Sequence, residues 1–144
     1  MDIFEKLLLA IDLTPDSDQL LRRVLKLCSG RMDRVHVVHV LRTDVLFSDD
    51  RVDPRDPDQR RLLDQATVKL DDILMRNGFR VPSQQINIRR GEPATEIKRL
   101  AHDLEADLVI VGSHTKNSGW MSLPGATTNC VLQGIDTDVM AVRL

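Results

Sequence analysis

Aromatic side chains are scarce in this chain: three Phe, one Trp and no Tyr among 144 residues. That leaves no stacking platform for single-stranded nucleic acid, and the core must be built from Leu, Val, Ile and Ala. An excess of one charge sign is missing as well. A formal net charge of −2 supplies no electrostatic reason for nucleic acid or an anionic membrane surface as a partner. Cysteine is limited to Cys28 and Cys130, with no CxxC pair. Both fall in apolar helical patterns, as buried free thiols of a reducing compartment do. No apolar run approaches the roughly 18 residues of a membrane-spanning helix. The opening, Met1 to Lys6, is acidic at its start and passes directly into strand-like sequence. No signal peptide and a cytoplasmic location are therefore expected. Internal repeats and linkers are also lacking, so residues 1–144 are read as one domain.

What the chain does contain is 42% hydrophobic and 29% charged residues, the balance of a globular domain. Lys6–Asp12, K-L-L-L-A-I-D, is apolar without interruption, as a strand covered on both faces is. Thr14-Pro15-Asp16-Ser17 follows with turn and N-cap chemistry. From Gln19, Leu20, Leu21, Val24, Leu25, Leu27 and Cys28 recur at helical spacing, and Ser29-Gly30 is a stop signal. Val35–Leu41, V-H-V-V-H-V-L, is a second strand. His36 and His39 within it lie three apart, point to opposite faces and form no joint metal site. Residues 42–57 hold five Asp against three Arg, with Pro54 and Pro57, and read as a solvated loop without metal-ligand spacing.

A second amphipathic helix is predicted over 58–77, burying Leu62, Leu63, Ala66, Leu70, Ile73 and Leu74, with Asn77-Gly78 at its end. Residues 84–90 read as an edge strand with Ile86 and Ile88 on one side and a solvated Arg89-Arg90 at its end. Gly91-Glu92-Pro93 is a turn placed to start a helix whose buried face is Ile97, Leu100, Ala101 and Leu104. Leu108–Gly112, L-V-I-V-G, is again a fully buried strand. After a loop over 113–124, residues 125–133 read as a fourth helix and Val139–Val142 as a last strand. Five strands alternating with four helices predict an α/β fold with a doubly wound parallel sheet.

In such a sheet, ligands bind beyond the carboxyl ends of the strands, where the winding reverses. The two uninterrupted apolar runs, ending at Asp12 and Gly112, are read as the central strands. Their crevice then holds Asp12, Leu13 and Thr14 on one side and Gly112, Ser113, His114 and Thr115 on the other. Asp12 is there either a ligand contact or the cap of the 14–17 turn. The segment 112–128, G-S-H-T-K-N-S-G-W-M-S-L-P-G-A-T-T, runs through glycines 112, 119 and 125 into helix-compatible sequence. Small and hydroxyl residues ahead of a helix N-terminus suit an anion, because free N–H groups and the helix dipole both favour it. Neither GxxxxGK[ST] nor GxGxxG is present. His114 and Lys116 stand where a phosphate could be met, while Trp120, Met121 and Leu123 read as packing residues or a partner surface. No Ser–His–Asp or Cys–His arrangement is formed, and Ser113 beside His114 is not one, so no enzyme activity is expected.

Five stretches carry a resemblance: I-D-L-T-P after the first strand, V-V-H-V in the second, G-E-P before the third helix, A-D-L-V-I-V-G-S-H at the fourth strand, and Gly125 ten residues after Thr115. By these the chain resembles a universal stress protein over nearly its full length. The resemblance implies a five-stranded parallel sheet ordered 3-2-1-4-5 with four helices on its two faces, Rossmann-like and of the adenine nucleotide alpha hydrolase-like kind. It also implies a non-enzymatic stress-response protein, a regulator or sensor. One branch of that family binds ATP through Gly-x-x-Gly, nine residues, then Gly-Ser or Gly-Thr. Gly112 and Gly125 match at the correct spacing, whereas Thr115 stands for the second Gly and Ala126 for the hydroxyl. By similarity, an adenine nucleotide such as ATP with Mg²⁺ would be contacted by Asp12, Val40, Gly112, Ser113, His114, Thr115, Gly125, Ala126 and Thr127. The other branch lacks the motif and implies a nucleotide-free dimeric interaction protein. In either case the resemblance implies a homodimer through the last strand, Val139–Val142, whose edge would otherwise be unpaired.

Overall fold

The computed structural model describes residues 4–41, 55, 57–113 and 134–144. In chain order they form β1 (Leu7–Ala10), α1 (Ser17–Cys28), β2 (Val35–Leu41), α2 (Pro57–Arg76), β3 (Ile86–Arg90), α3 (Pro93–Leu104), β4 (Leu108–Ser113) and β5 (Asp138–Arg143). Three α-helices are thus present among the described residues. The helix predicted over 125–133 lies outside them, as do Cys130 and nearly all of the 42–57 loop. The strands make one sheet ordered β3-β2-β1-β4-β5, every pairing parallel, with β3 and β5 at its edges.

The alternation along each central strand sorts the core into two layers. Leu7 and Leu9 of β1, with Ile11 just after it, face α1 and α2, where they meet Leu20, Leu21, Val24 and Leu70. Leu8 and Ala10 face α3, where they meet Ile97, Leu100 and Ala101. Each fully buried Leu or Ile contributes on the order of 1.5–3 kcal/mol, so no polar side is left for β1 to turn to water. Val35 and Val37 of β2 belong to the first layer, Val38 and Val40 to the second, which puts His39 and His36 on opposite faces as expected. The start of β1 is stapled by Asp107, whose carboxylate accepts the Glu5 N–H at 2.7 Å and the Lys6 N–H at 2.9 Å.

Several local expectations are corrected. Helix α1 starts at Ser17, two residues before Gln19, and its cap Asp16 makes no side-chain cap bond. The Thr14 and Ser17 hydroxyls turn to Asp12 instead. The stop at its other end is Ser29 in the left-handed region, φ 49°. Leu27 is 49% exposed, because it projects towards an open groove between α1 and β5. Cys28 is half-buried against the first layer, and burial pushes its thiol pKa up. In α2, Ala66, Leu70, Ile73 and Leu74 are buried, but Leu62 is 37% exposed and Leu63 only half-buried. A 20-residue helix runs about 30 Å, longer than the strands beneath it, so its first turns overhang the sheet. There Gln59 accepts a hydrogen bond from Arg90 at 2.6 Å, and Arg90 is half-buried rather than solvated. Gln84 and Gln85 belong to a 3₁₀ turn (Ser83–Gln85), not to β3. Gln85 locks it by donating to the Val35 carbonyl at 2.6 Å.

Glu92 shows how a side chain starts a helix here. Its carboxylate accepts the Ala94 N–H at 3.2 Å, the Thr95 N–H at 2.7 Å and the Thr95 hydroxyl at 2.7 Å. Partial burial pushes the carboxyl upward, but these bonds, with Lys98 nearby, outweigh it and hold the pKa below the ordinary 4.5. A lowered carboxylate pKa stabilises the fold fully above the unfolded value and ceases to as the pH falls through the folded one. Glu92→Ala should therefore cost about 1 kcal/mol at neutral pH, seen as a lower urea midpoint at unchanged m. That gap from the parent should close on acidification; a gap that survives full protonation of carboxylates would contradict the cap.

Candidate functional site

The strand order reverses its winding between β1 and β4. Leu9 pairs with Ile110 in the last rung of the β1–β4 ladder, and Asp12 and Ser113 each follow three residues later, towards the carboxyl ends of the two strands. Ile11 N–H still donates to the Val38 carbonyl at 2.9 Å, which keeps the backbone strand-like up to Asp12. Val40 sits on the neighbouring β2, buried in the α3 layer.

Asp12 is buried, and its Oδ1 accepts the Thr14 hydroxyl at 2.7 Å. The Ser17 hydroxyl donates to the Asp12 carbonyl and lies 3.2 Å from the same Oδ1. Of the two readings of Asp12, the geometry at Oδ1 is that of a residue organising the turn into α1. The same contacts fix where the rest of its carboxylate stands.

Gly112 lies on the other face from Val40, because Leu108 and Ile110 of β4 belong to the α1–α2 layer. A Cβ there would stand 2.8 Å from Leu144 Cδ1 and 3.6 Å from Leu20 Cδ2. The glycine at this position thus has a packing reason of its own. Leu144 is held against it by donating its N–H to the Ser113 carbonyl at 2.9 Å.

The structure brings Asp12, Val40, Gly112 and Ser113 to the ends of three adjacent strands. His114, Thr115, Gly125, Ala126 and Thr127 lie outside the described residues, as do Lys116, Trp120, Met121 and Leu123. No group of three or more His, Cys, Asp or Glu that could hold a metal occurs among the described residues.

The sequence places Ser17 in the turn that Asp12 caps, and His39 enters there only as half of a histidine pair that forms no metal site. His39 is buried, with Nδ1 2.8 Å from the Ile11 carbonyl. A carbonyl only accepts, so Nδ1 carries the proton. Burial pushes the His39 pKa down, against the opposing pull of the Ile11 bond and the Asp12 charge, which favours the neutral ring. The available signal was a histidine set in an otherwise apolar run one residue before Val40. On the far side of the β1–α1 turn, a groove of about 260 Å³ is lined by Leu13, Thr14, Lys69 and Arg76. Arg76 pairs with Asp18 at 2.9 Å, and its hydrogen bonds together with those of Asn77 hold the Asp18 carboxyl below its usual range.

A model of the Universal stress protein family matches residues 4–143. Universal stress protein A homolog 2 of Coxiella burnetii (strain RSA 493 / Nine Mile phase I) is 29% identical over 150 residues, covering 100% of this chain and 98% of its own. Hypothetical protein MJ0577, the subject of a structure-based assignment of biochemical function, superposes with a TM-score of 0.71 at 23% identity, over 99% of this chain and 98% of its own. A universal stress protein solved in complex with cAMP superposes with a TM-score of 0.56 at 17% identity, over 99% and 98%. These structural likenesses speak for the fold.

The Gly112 packing is open to a direct test. Gly112→Ala forces the new methyl group against Leu144 and should destabilise by about 1–3 kcal/mol in chemical denaturation. In a Leu144→Ala background the same substitution should cost clearly less, since the clash is removed. Equal costs in both backgrounds would show that Leu144 is not what Gly112 accommodates.

Proposed function

The chain belongs to the universal stress protein family, and from this we propose that it is a stress-response regulator or sensor that binds an adenine nucleotide at the carboxyl ends of β1 and β4. Membership supports the stress-response role. The ligand reading is carried by one observation, the winding reversal between β1 and β4, beyond whose last paired residues Asp12 and Ser113 follow. Open α/β sheets take nucleotides at such a point. A fold neighbour that holds cAMP adds support. In this reading Asp12, Val40, Gly112 and Ser113 form the strand-end half of the site. His114, Thr115, Gly125, Ala126 and Thr127 supply the half that meets phosphate. Mg²⁺ would arrive on the phosphates, as it does where a site offers few protein ligands. In this reading the protein acts in the cytoplasm by binding and releasing nucleotide, with at most weak ATP hydrolysis. No helix among the described residues is long and apolar enough to cross a membrane.

Titration calorimetry of the purified chain with ATP and Mg²⁺ should give saturable binding with Kd below roughly 100 μM. Absence of heat up to millimolar nucleotide would overturn the proposal. Thr115→Gly combined with Ala126→Ser should bind more tightly than the parent.

Those same two departures, Thr115 and Ala126, favour a second reading, a nucleotide-free dimeric interaction protein. Here β5 is the element of interest. It is an edge strand, and the groove of about 280 Å³ between it and α1 sets the exposed Leu27 beside Met140 and Val142. Pairing with a second copy through β5 would satisfy its free backbone edge. Light scattering at tens of micromolar should report a dimer; monomer alone would contradict this reading.

A further inference from the structure

We propose that His39 is a positioning residue for the nucleotide crevice: its imidazole holds the peptide that carries Asp12 where the β1–β2 ladder gives out. The inference rests on the nucleotide reading above. The ladder pairs Leu7 with Val35 and ends with Ala10 on Val38, so the next register partner of Ile11 is His39. Ile11 N–H keeps its bond to the Val38 carbonyl. In a continued parallel ladder the Ile11 carbonyl would take the N–H of Val40. Instead it receives Nδ1–H from the side chain of its own register partner, at 2.8 Å. A buried carbonyl needs a donor, and this one is met by a ring that reaches across from β2.

The next carbonyl is treated alike. Asp12 C=O accepts the Ser17 hydroxyl from the first turn of α1. Two successive carbonyls on either side of the Asp12 Cα are thus fixed by side chains from two different elements. Together they set the direction in which the Asp12 carboxylate leaves the backbone. His39 is buried on the α1–α2 side, whereas Val40 is buried on the α3 side. The imidazole therefore acts on a ligand through the 11–12 peptide and not by touching it. Burial favours the neutral ring, the form that adds no positive charge beside Asp12.

Three variants of the full chain separate positioning from packing. Asn places an amide N–H close to where Nδ1–H stands, Gln places it further out near Nε2, and Leu fills volume with no donor. In calorimetric titration with ATP and Mg²⁺, His39→Asn should stay within about 3-fold of the parent, while His39→Gln and His39→Leu should weaken binding about 10-fold, the scale of one lost hydrogen bond. If His39→Leu fails to fold, the contrast between Asn and Gln carries the test. Equal affinity in all variants, or equal weakening in Asn and Gln, would overturn the role of the hydrogen bond. A parent that takes up no nucleotide would overturn the nucleotide reading and this inference with it; a parent that binds while His39→Gln binds as well overturns this inference alone.

Discussion

A strand with no polar face can be hidden only between two layers of helices, and β1 is such a strand. Leu7, Leu9 and Ile11 require α1 and α2 on one side, and Leu8 and Ala10 require α3 on the other. Parallel neighbours on both edges follow from the same demand, because its backbone groups are as deeply buried as its side chains. With β1 in the middle, the chain winds outward through β2 and β3, then returns to lay β4 and β5 on the opposite side. The crevice at the strand ends is a consequence of that return. It exists because the most apolar strand comes first and has to be enclosed.

Where this central strand stops, its backbone cannot simply be left. At its start Asp107 takes up the N–H groups of Glu5 and Lys6. At its end His39 donates to the Ile11 carbonyl and Ser17 to that of Asp12. Both ends of β1 are therefore finished by side chains borrowed from other elements. The polar groups that define the crevice are members of this framework, so geometry and stability share the same atoms there. Gly112 belongs to the same economy of space, since the end of β4 has to admit Leu144.

Much of the fold is legible in the order of residue types. The uninterrupted runs at Leu7–Ala10 and Leu108–Val111 announce strands covered on both sides, and Val35–Leu41 has the bounds its composition suggests. Gly91-Glu92-Pro93 marks the start of α3, because Pro suits the first helical position and Glu92 can reach the free N–H groups. Periodicity misleads at Leu62 and Leu27. It reports which face of a helix is apolar but not how far the neighbouring surface extends to cover it. Gln85 and Arg90 mislead for a related reason, since each finds its partner on an element distant in the chain. That Asp12, Val40, Gly112 and Ser113 lie at strand ends could be read from the apolar runs and from the family resemblance. The link of Asp12 to the 14–17 turn could be read as well, but the part played by His39 could not.

By itself, then, the sequence determined the class of fold, its central strands and the place where the winding reverses. Those follow from local hydrophobic pattern and from which runs tolerate no water. Only the tertiary structure decided which side chains complete the backbone there, and which face each residue serves. His39 and Ile11 are 28 positions apart, and Asp107 and Glu5 are 102 apart. Propensity and pattern act over a few residues, whereas these bonds depend on the register of strands that meet only once the sheet has formed.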